Sequence, residues 1–315
     1  MPHRKEHPGM NREKHMNEKN TRPRPPGPDP PRNQIYCMDC MELSMQLPDG
    51  SVSMILTDPP YGIRYRNSFT NRPHPPIAGD SGIDYGHLAR ESWRILQDDA
   101  HAYFFTRFDC YPYHYRCLEE AGFTIKNCLV VEKGTVGGIG DLQGSYASNG
   151  EWIIFCQKGR RPFNHTTLLQ NRKREGTRFH AGREPSKKYK TRFNACWFGE
   201  EYPKATYNSA WQKKHGIYHP TIKNADFLSW LIRISSQPGE LVFDGFMGSG
   251  STAVAAALSG RDYLGTEICP EYFEMARNRI ALYMKGAESI CQRPSLYGET
   301  PAAGNPCSAA ALPKS

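Results

Sequence analysis

Leu241-Val242-Phe243-Asp244-Gly245-Phe246-Met247-Gly248-Ser249-Gly250-Ser251-Thr252 is the stretch that decides the fold of this 315-residue chain. An apolar strand runs into a glycine-rich turn, and a helix is predicted from Ala253 to Leu258. Glycines at such a turn let the backbone approach a ligand closely at the carboxyl edge of a sheet. The spacing is G-x-x-G-x-G, which departs from the G-x-G-x-x-G of dinucleotide folds. Glu267 follows 23 residues after Asp244, behind the next apolar run Tyr263-Leu264-Gly265. A carboxylate there can accept both hydroxyls of a ribose. Loop and acid together point to a nucleoside cofactor; for the loop alone, a structural strand-to-helix turn is the plainer alternative.

Outward from this stretch, short apolar runs read as buried parallel strands. They are Ile35 to Cys37, Val52 to Leu56, Ala102 to Phe105, Leu129 to Val131, Trp152 to Phe155, Leu241 to Phe243 and Tyr263 to Gly265. Helical patterns lie between them: Leu88, Trp93, Ile95 and Leu96; then Phe227, Leu228, Leu231, Ile232 and Ile234; then Tyr272 to Leu282, with Pro270 near the start. This alternation predicts an α/β fold with a doubly wound, mostly parallel sheet and helices on both faces.

A second motif, Asp58-Pro59-Pro60-Tyr61, directly follows the strand Val52 to Thr57. Two prolines cannot continue a central strand, so the chain must turn outward at the carboxyl edge. That is where α/β sheets bind ligands. An ordinary turn would use the same residue types; paired with the glycine loop, the motif becomes a site.

Charge divides the chain. Residues 1–33 hold 8 basic and 4 acidic side chains, residues 160–215 hold 14 and 4, and the remainder 18 and 24. An acidic body thus carries one strongly basic internal segment, and a polyanion is its natural partner. Residues 1–33, with eight prolines, are expected to form a disordered basic tail, and residues 286–315 a flexible one. The body divides into 34–159, a basic insert at 160–215, and 216–285. Residues Asn67 to Ile83 lack periodicity and read as a mobile loop. No run of about 18 apolar residues or secretory h-region occurs, so no membrane association and a cytoplasmic location are expected. Cys37 and Cys40 form a CxxC with no second pair at zinc-ligand spacing, and no metal is expected.

Taken together, residues 33–285 resemble the β group of amino-methylating DNA methyltransferases that use S-adenosyl-L-methionine. The resemblance rests on Asp58 to Tyr61, on Phe246-x-Gly248-x-Gly250, on His219-Pro220-Thr221-Ile222-Lys223, and on Ile35 to Cys40. It implies a Rossmann-like methyltransferase fold in which the insert is a target-recognition region. Departures are Gly245 where proline is common, Ser251 for a frequent threonine, Asn224 for a proline, and Met38 for a glycine. For the cofactor, the resemblance implies Asp39 and the Cys40 amide on the adenine ring and Glu267 on the ribose. Asp244, Phe246, Gly248 and Gly250 would line the sugar and methionine portions, with Thr221, Lys223 and Thr252 near the amino-acid end.

The implied catalytic residues are Asp58, Pro59, Pro60 and Tyr61. An exocyclic amine is a poor nucleophile because its lone pair is delocalised. Asp58 and the Pro59 carbonyl can accept its two N–H groups and favour an sp³-like nitrogen, while Tyr61 offers a stacking face for an extruded base. C5-cytosine chemistry needs a nucleophilic cysteine, commonly after proline, and the sole Pro-Cys pair is Pro306-Cys307 in the tail. In the family this chain resembles, aspartate at the first motif position tends to go with N6 of adenine and serine with N4 of cytosine, so the resemblance implies adenine; N4-cytosine methylation, or an inactive DNA-binding fold, are the alternatives. Arg172, Lys173, Arg174, Arg178, Lys187, Lys188, Lys190 and Arg192 are the expected contacts to double-stranded DNA. A monomer or homodimer is expected, and a cognate restriction endonuclease is a candidate partner.

Overall fold

A computed structural model describes residues 29–61, 83–132, 144, 150–164, 196–197 and 222–290. The elements are β1 (Gln34–Tyr36), α1 (Cys40–Gln46), β2 (Val52–Thr57), α2 (Tyr85–Ile95), β3 (Leu96–Thr106), α3 (Tyr111–Ala121), β4 (Thr124–Glu132) and β5 (Gly150–Lys158). They continue with β6 (Cys196–Trp197), α4 (Ala225–Ser235), β7 (Leu241–Asp244), α5 (Ser251–Leu258), β8 (Asp262–Thr266) and α6 (Pro270–Ile290). The strands form one sheet in the order β1-β8-β7-β2-β3-β5-β4-β6. Strands β1, β8, β7, β2 and β3 run parallel.

Side chains of the central strands alternate between two cores, as the pleat requires. Met54 and Leu56 of β2 pack with Phe227 and Leu231 of α4, Val254 of α5 and Ile280 of α6. Ile55, between them, packs on the other face with Leu43 of α1, Leu88 of α2 and Leu118 of α3. All six residues of β2 are buried, which explains its continuous apolar reading. The three-layer α/β/α fold expected from the alternation is present.

Some details differ from the expectation. β5 is antiparallel to both β3 and β4. It pairs directly with the strand preceding it in the chain, and such neighbours join on one sheet edge without the crossover a parallel pair needs. Leu96 opens β3 instead of closing a helix. Helices α1 and α3 were not predicted. Asn224, the departure from proline, caps α4 by accepting from the amides of Asp226 at 2.8 Å and Phe227 at 3.1 Å.

The start of the basic insert belongs to the body. The Arg160 amide donates to Asp99 at 2.7 Å, and Arg161 pairs with Glu240 at 2.6 Å. Within the insert, β6 adds a parallel edge to β4. At the other end of the chain, Arg32 pairs with Asp262 at 2.7 Å, and the Asn33 amide donates to the Tyr263 carbonyl. Among the described residues, no helix is long and apolar enough to cross a membrane.

Candidate functional site

Four adjacent parallel strands each deliver a carboxylate to the same sheet edge. Asp39 follows β1, Glu267 follows β8, Asp244 ends β7 and Asp58 follows β2. At about 4.8 Å per strand, the row spans about 14 Å. The chain leaves β7 toward β8 on one side and leaves β2 toward β3 on the other. The β7/β2 boundary is therefore the topological switch point, where open α/β sheets form their ligand crevice. The Thr57 hydroxyl donates to Asp244 at 2.7 Å and ties the two strand ends together there.

The glycine loop is built by specific close contacts. Gly250 begins α5 with φ +78°, and a Cβ on it would lie 3.1–3.3 Å from Ala276 of α6. Only glycine gives both the left-handed conformation and the helix–helix approach at this point. Gly245 backs onto Cys40, whose Cβ would stand 3.0 Å from an added Cβ. Arg279, buried under the loop, donates to the Ser249 carbonyl, the Ser249 hydroxyl at 2.9 Å and the Ser251 hydroxyl at 2.8 Å. The Phe246 amide donates to Asp244 at 3.0 Å. Burial pushes the Asp244 carboxyl up to about 6, with Asp58 adding to the rise and the Thr252, Phe246 and Thr57 hydrogen bonds opposing it.

Glu267 is fixed through its backbone neighbours. The Gly248 amide donates to one carboxylate oxygen and the Cys269 amide to the other, each at 2.8 Å. Burial raises its pKa, and these amides pull against the rise. Each oxygen keeps lone-pair capacity for a further donor. Asp39 caps α1 by accepting from the Met41 amide at 2.7 Å, so the Asp39-Cys40 pair is held rigidly at the edge. Burial, with Asp39 nearby, pushes the Cys40 thiol up to about 12, which makes it an unreactive packing group.

The motif after β2 forms the other half of the site. The Tyr61 hydroxyl donates to Asp58 Oδ1. The Lys223 ammonium lies 3.0 Å from Asp58 Oδ2 and 2.8 Å from Glu151 of β5, and 4.5 Å over the Phe105 ring. Glu151 carries no motif signal at all; only β5 folding back beside β3 brings it here. Behind Tyr61, the His114 ring stacks on Tyr85 at 3.8 Å and accepts or donates at Thr106. Burial lowers His114 to about 4, so it is neutral at physiological pH. Asp58, Tyr61, Asp244, Phe246, Gly248, Gly250, Thr252 and Glu267 thus share one edge with Asp39 and Cys40, and Lys223 reaches Asp58. Thr221, the loop Asn67 to Gly82 and the eight basic residues Arg172, Lys173, Arg174, Arg178, Lys187, Lys188, Lys190 and Arg192 lie outside the described residues.

A mostly parallel sheet with a glycine loop, a backbone-held acid after the next strand and a polar turn at the switch point defines a Rossmann-like methyltransferase fold. Comparison with known proteins narrows this. The profile of the DNA methylase family that groups N6 and N4 methyltransferases matches residues 52–278, and the chain belongs to that family. It is 25% identical over 255 residues to the type II methyltransferase M1.MboII of Moraxella bovis, covering 78% of this chain and 95% of that protein. With the type II methyltransferase M.HpaI of Haemophilus parainfluenzae it shares 24% identity over 269 residues, 82% of this chain and 78% of that one. Among solved structures, the M1.HpyAVI complex with S-adenosyl-L-methionine superposes with a TM-score of 0.53 at 21% identity, covering 78% of this chain and 98% of the other. The cytosine-N4-specific PvuII DNA methyltransferase superposes with a TM-score of 0.57 at 17% identity, over 85% and 94% of the two chains.

Proposed function

We propose that this protein transfers a methyl group from S-adenosyl-L-methionine to the exocyclic N6 of an adenine extruded from double-stranded DNA. The observation that carries the reading is Asp58 at the switch point, one strand from Asp244 and the glycine loop. The donor set suits this cofactor. Its sulfonium and ammonium are cationic, and the edge presents a row of carboxylates that attracts them. Glu267, oriented by two amides, faces a diol; Asp39 and the Cys40 amide serve the adenine; Asp244, Phe246, Gly248 and Gly250 line the sugar and methionine, with Thr221 and Thr252 toward the amino-acid end.

When bound, the cofactor supplies an electrophilic methyl on sulfur. Asp58 accepts one N–H of the target amine, and the Pro59 carbonyl accepts the other. Together they direct the lone pair at the methyl and stabilise the positive charge that develops on nitrogen. Pro60 rigidifies the turn, and Tyr61 stacks on the base, a contact worth about 1–3 kcal/mol. Most of the acceleration then comes from alignment of the two reactants. The basic insert, with Arg172, Lys173, Arg174, Arg178, Lys187, Lys188, Lys190 and Arg192, holds the DNA backbone. The reading places the protein in the cytoplasm beside its DNA, in the setting of restriction and modification.

Aspartate at position 58 favours adenine over N4 of cytosine, the second reading, which an N4-specific structural neighbour keeps in view. The Asp58→Ala variant separates chemistry from binding: methyl transfer to DNA falls at least a thousandfold while the calorimetric Kd for S-adenosyl-L-methionine stays within threefold. An Asp58→Ala protein that still methylates DNA defeats the mechanism.

A further inference from the structure

Lys223 stands between two carboxylates that arrive from different elements, Asp58 after β2 and Glu151 at the start of β5. All three side chains are largely shielded, at 13% exposure for Lys223, 22% for Asp58 and 11% for Glu151. The Phe105 ring closes one side of the ammonium. The two carboxylate oxygens are no farther apart than their combined distances to Nζ. Among the described residues, the other titratable groups facing Asp58 are the Tyr61 hydroxyl from its own turn, Tyr85 from α2 and Asp244 from β7. None of these brings positive charge, and His114 behind them is neutral.

The geometry points to Lys223 as a positioning residue for Asp58, and to Glu151 as the residue that positions Lys223. This assigns Lys223 to the reacting end of the site in place of the cofactor's amino-acid end. It rests on the proposed role of Asp58 as acceptor for the target amine. Lys223 does two things there. It anchors Oδ2, which, with the Tyr61 hydroxyl on Oδ1, fixes the plane of the carboxylate and leaves the second lone pair of Oδ1 for the substrate. It also sets one positive charge between two facing acids, so that the site is not left with adjacent like charges when the amine arrives. Without the ammonium, two like charges share a shielded space and the pair takes up a proton. Burial pulls the Lys223 ammonium toward neutrality, but Asp58 and Glu151 outweigh it, and the net shift is upward. The lysine therefore remains a cation and acts by charge, with no part as a base.

The test compares wild type with K223M, K223R, E151Q and K223M/E151Q, using tritiated S-adenosyl-L-methionine and mixed-sequence plasmid DNA from pH 5.5 to 9. K223M is expected to lower kcat at pH 7 at least tenfold and to move the acid limb of the kcat profile up by a pH unit or more. Its Kd for the cofactor stays within threefold of wild type. K223R retains most activity. Removing the second acid in K223M/E151Q returns the acid limb toward wild type and recovers part of kcat, a rescue that general damage to the fold does not produce. A second readout needs no activity: urea unfolding of K223M loses stability relative to K223M/E151Q as pH rises from 6 to 8, because the folded pair holds a proton that the unfolded chain has released. Weaker cofactor binding in K223M with an unmoved pH profile, or parallel unfolding curves for the two variants across this range, overturns the inference. A wild-type protein that leaves DNA unmethylated counts against the proposed function, while the unfolding series still decides the charge coupling.

Discussion

Replacing Asp244 by asparagine should stabilise the folded protein at neutral pH while weakening its hold on the cofactor. Asp244 is 3% exposed, and burial raises its carboxyl from 3.8 to about 6. Between these values the folded state binds more protons than the unfolded state, so this group's contribution falls as pH rises through the window. Above about pH 6 the loss is complete, and the interval corresponds to about 3 kcal/mol. At pH 4.5 the same linkage gives about 1 kcal/mol. Asparagine removes the charge. Its Oδ1 still accepts from the Thr57 hydroxyl and the Phe246 amide, and its Nδ2 can donate to the Thr252 hydroxyl. Urea unfolding of both proteins at pH 4.5 and 7.5 cancels the titrating groups that do not interact with Asp244. The asparagine variant should gain about 2 kcal/mol more at pH 7.5 than at pH 4.5. The thermal midpoint at pH 7.5 should rise by about 6–12 °C, at 2–4 °C per kcal/mol. An equal effect at both pH values, or a destabilised variant at pH 7.5, refutes the reasoning. A gain in stability joined to weaker cofactor binding would identify the charge as retained for function, at a cost to the fold.

Two further substitutions probe the same edge. Glu267→Gln keeps the shape but loses charge-assisted acceptance of the ribose hydroxyls, so calorimetry should show the cofactor bound about 10- to 150-fold more weakly, for about 1.5–3 kcal/mol; an unchanged Kd removes Glu267 from the site. Gly250→Ala places a Cβ 3.1 Å from the Ala276 Cβ at φ +78°. Left-handed strain and overpacking together should cost about 2–4 kcal/mol in urea unfolding, and a variant as stable as wild type shows that α5 and α6 can separate freely.

Much of the fold was readable because the strands that matter are buried on both faces and bounded by glycine or proline. β2 reads as six apolar or small residues ending at Asp58-Pro59-Pro60, and β7 ends at the glycine loop; both strands lie where the pattern puts them. The helices with a clear apolar stripe, α2 and α4, were equally visible. α1 has only seven residues, too few for a periodic signal, and depends on the Asp39 cap. α3 is written Tyr-Pro-Tyr-His-Tyr, whose aromatic residues mark a helix weakly. The antiparallel placement of β5 was hidden because strand direction is a property of pairing. The same event hid Glu151, whose meaning comes from Lys223 and Asp58, 72 and 93 positions away in the chain. Local sequence therefore carried the row of carboxylates at the sheet edge, whereas the charge arrangement around Asp58 was set by tertiary pairing.

Single-molecule sequencing of genomic DNA from cells expressing the wild-type protein or its Asp58→Ala variant tests the central claim most directly, since it reports both the modified base and its context. The account predicts N6-methyladenine at one defined sequence with wild type and none with the variant. Unmodified DNA with wild type, N4-methylcytosine in place of methyladenine, or the same methyladenine pattern with both proteins would contradict it.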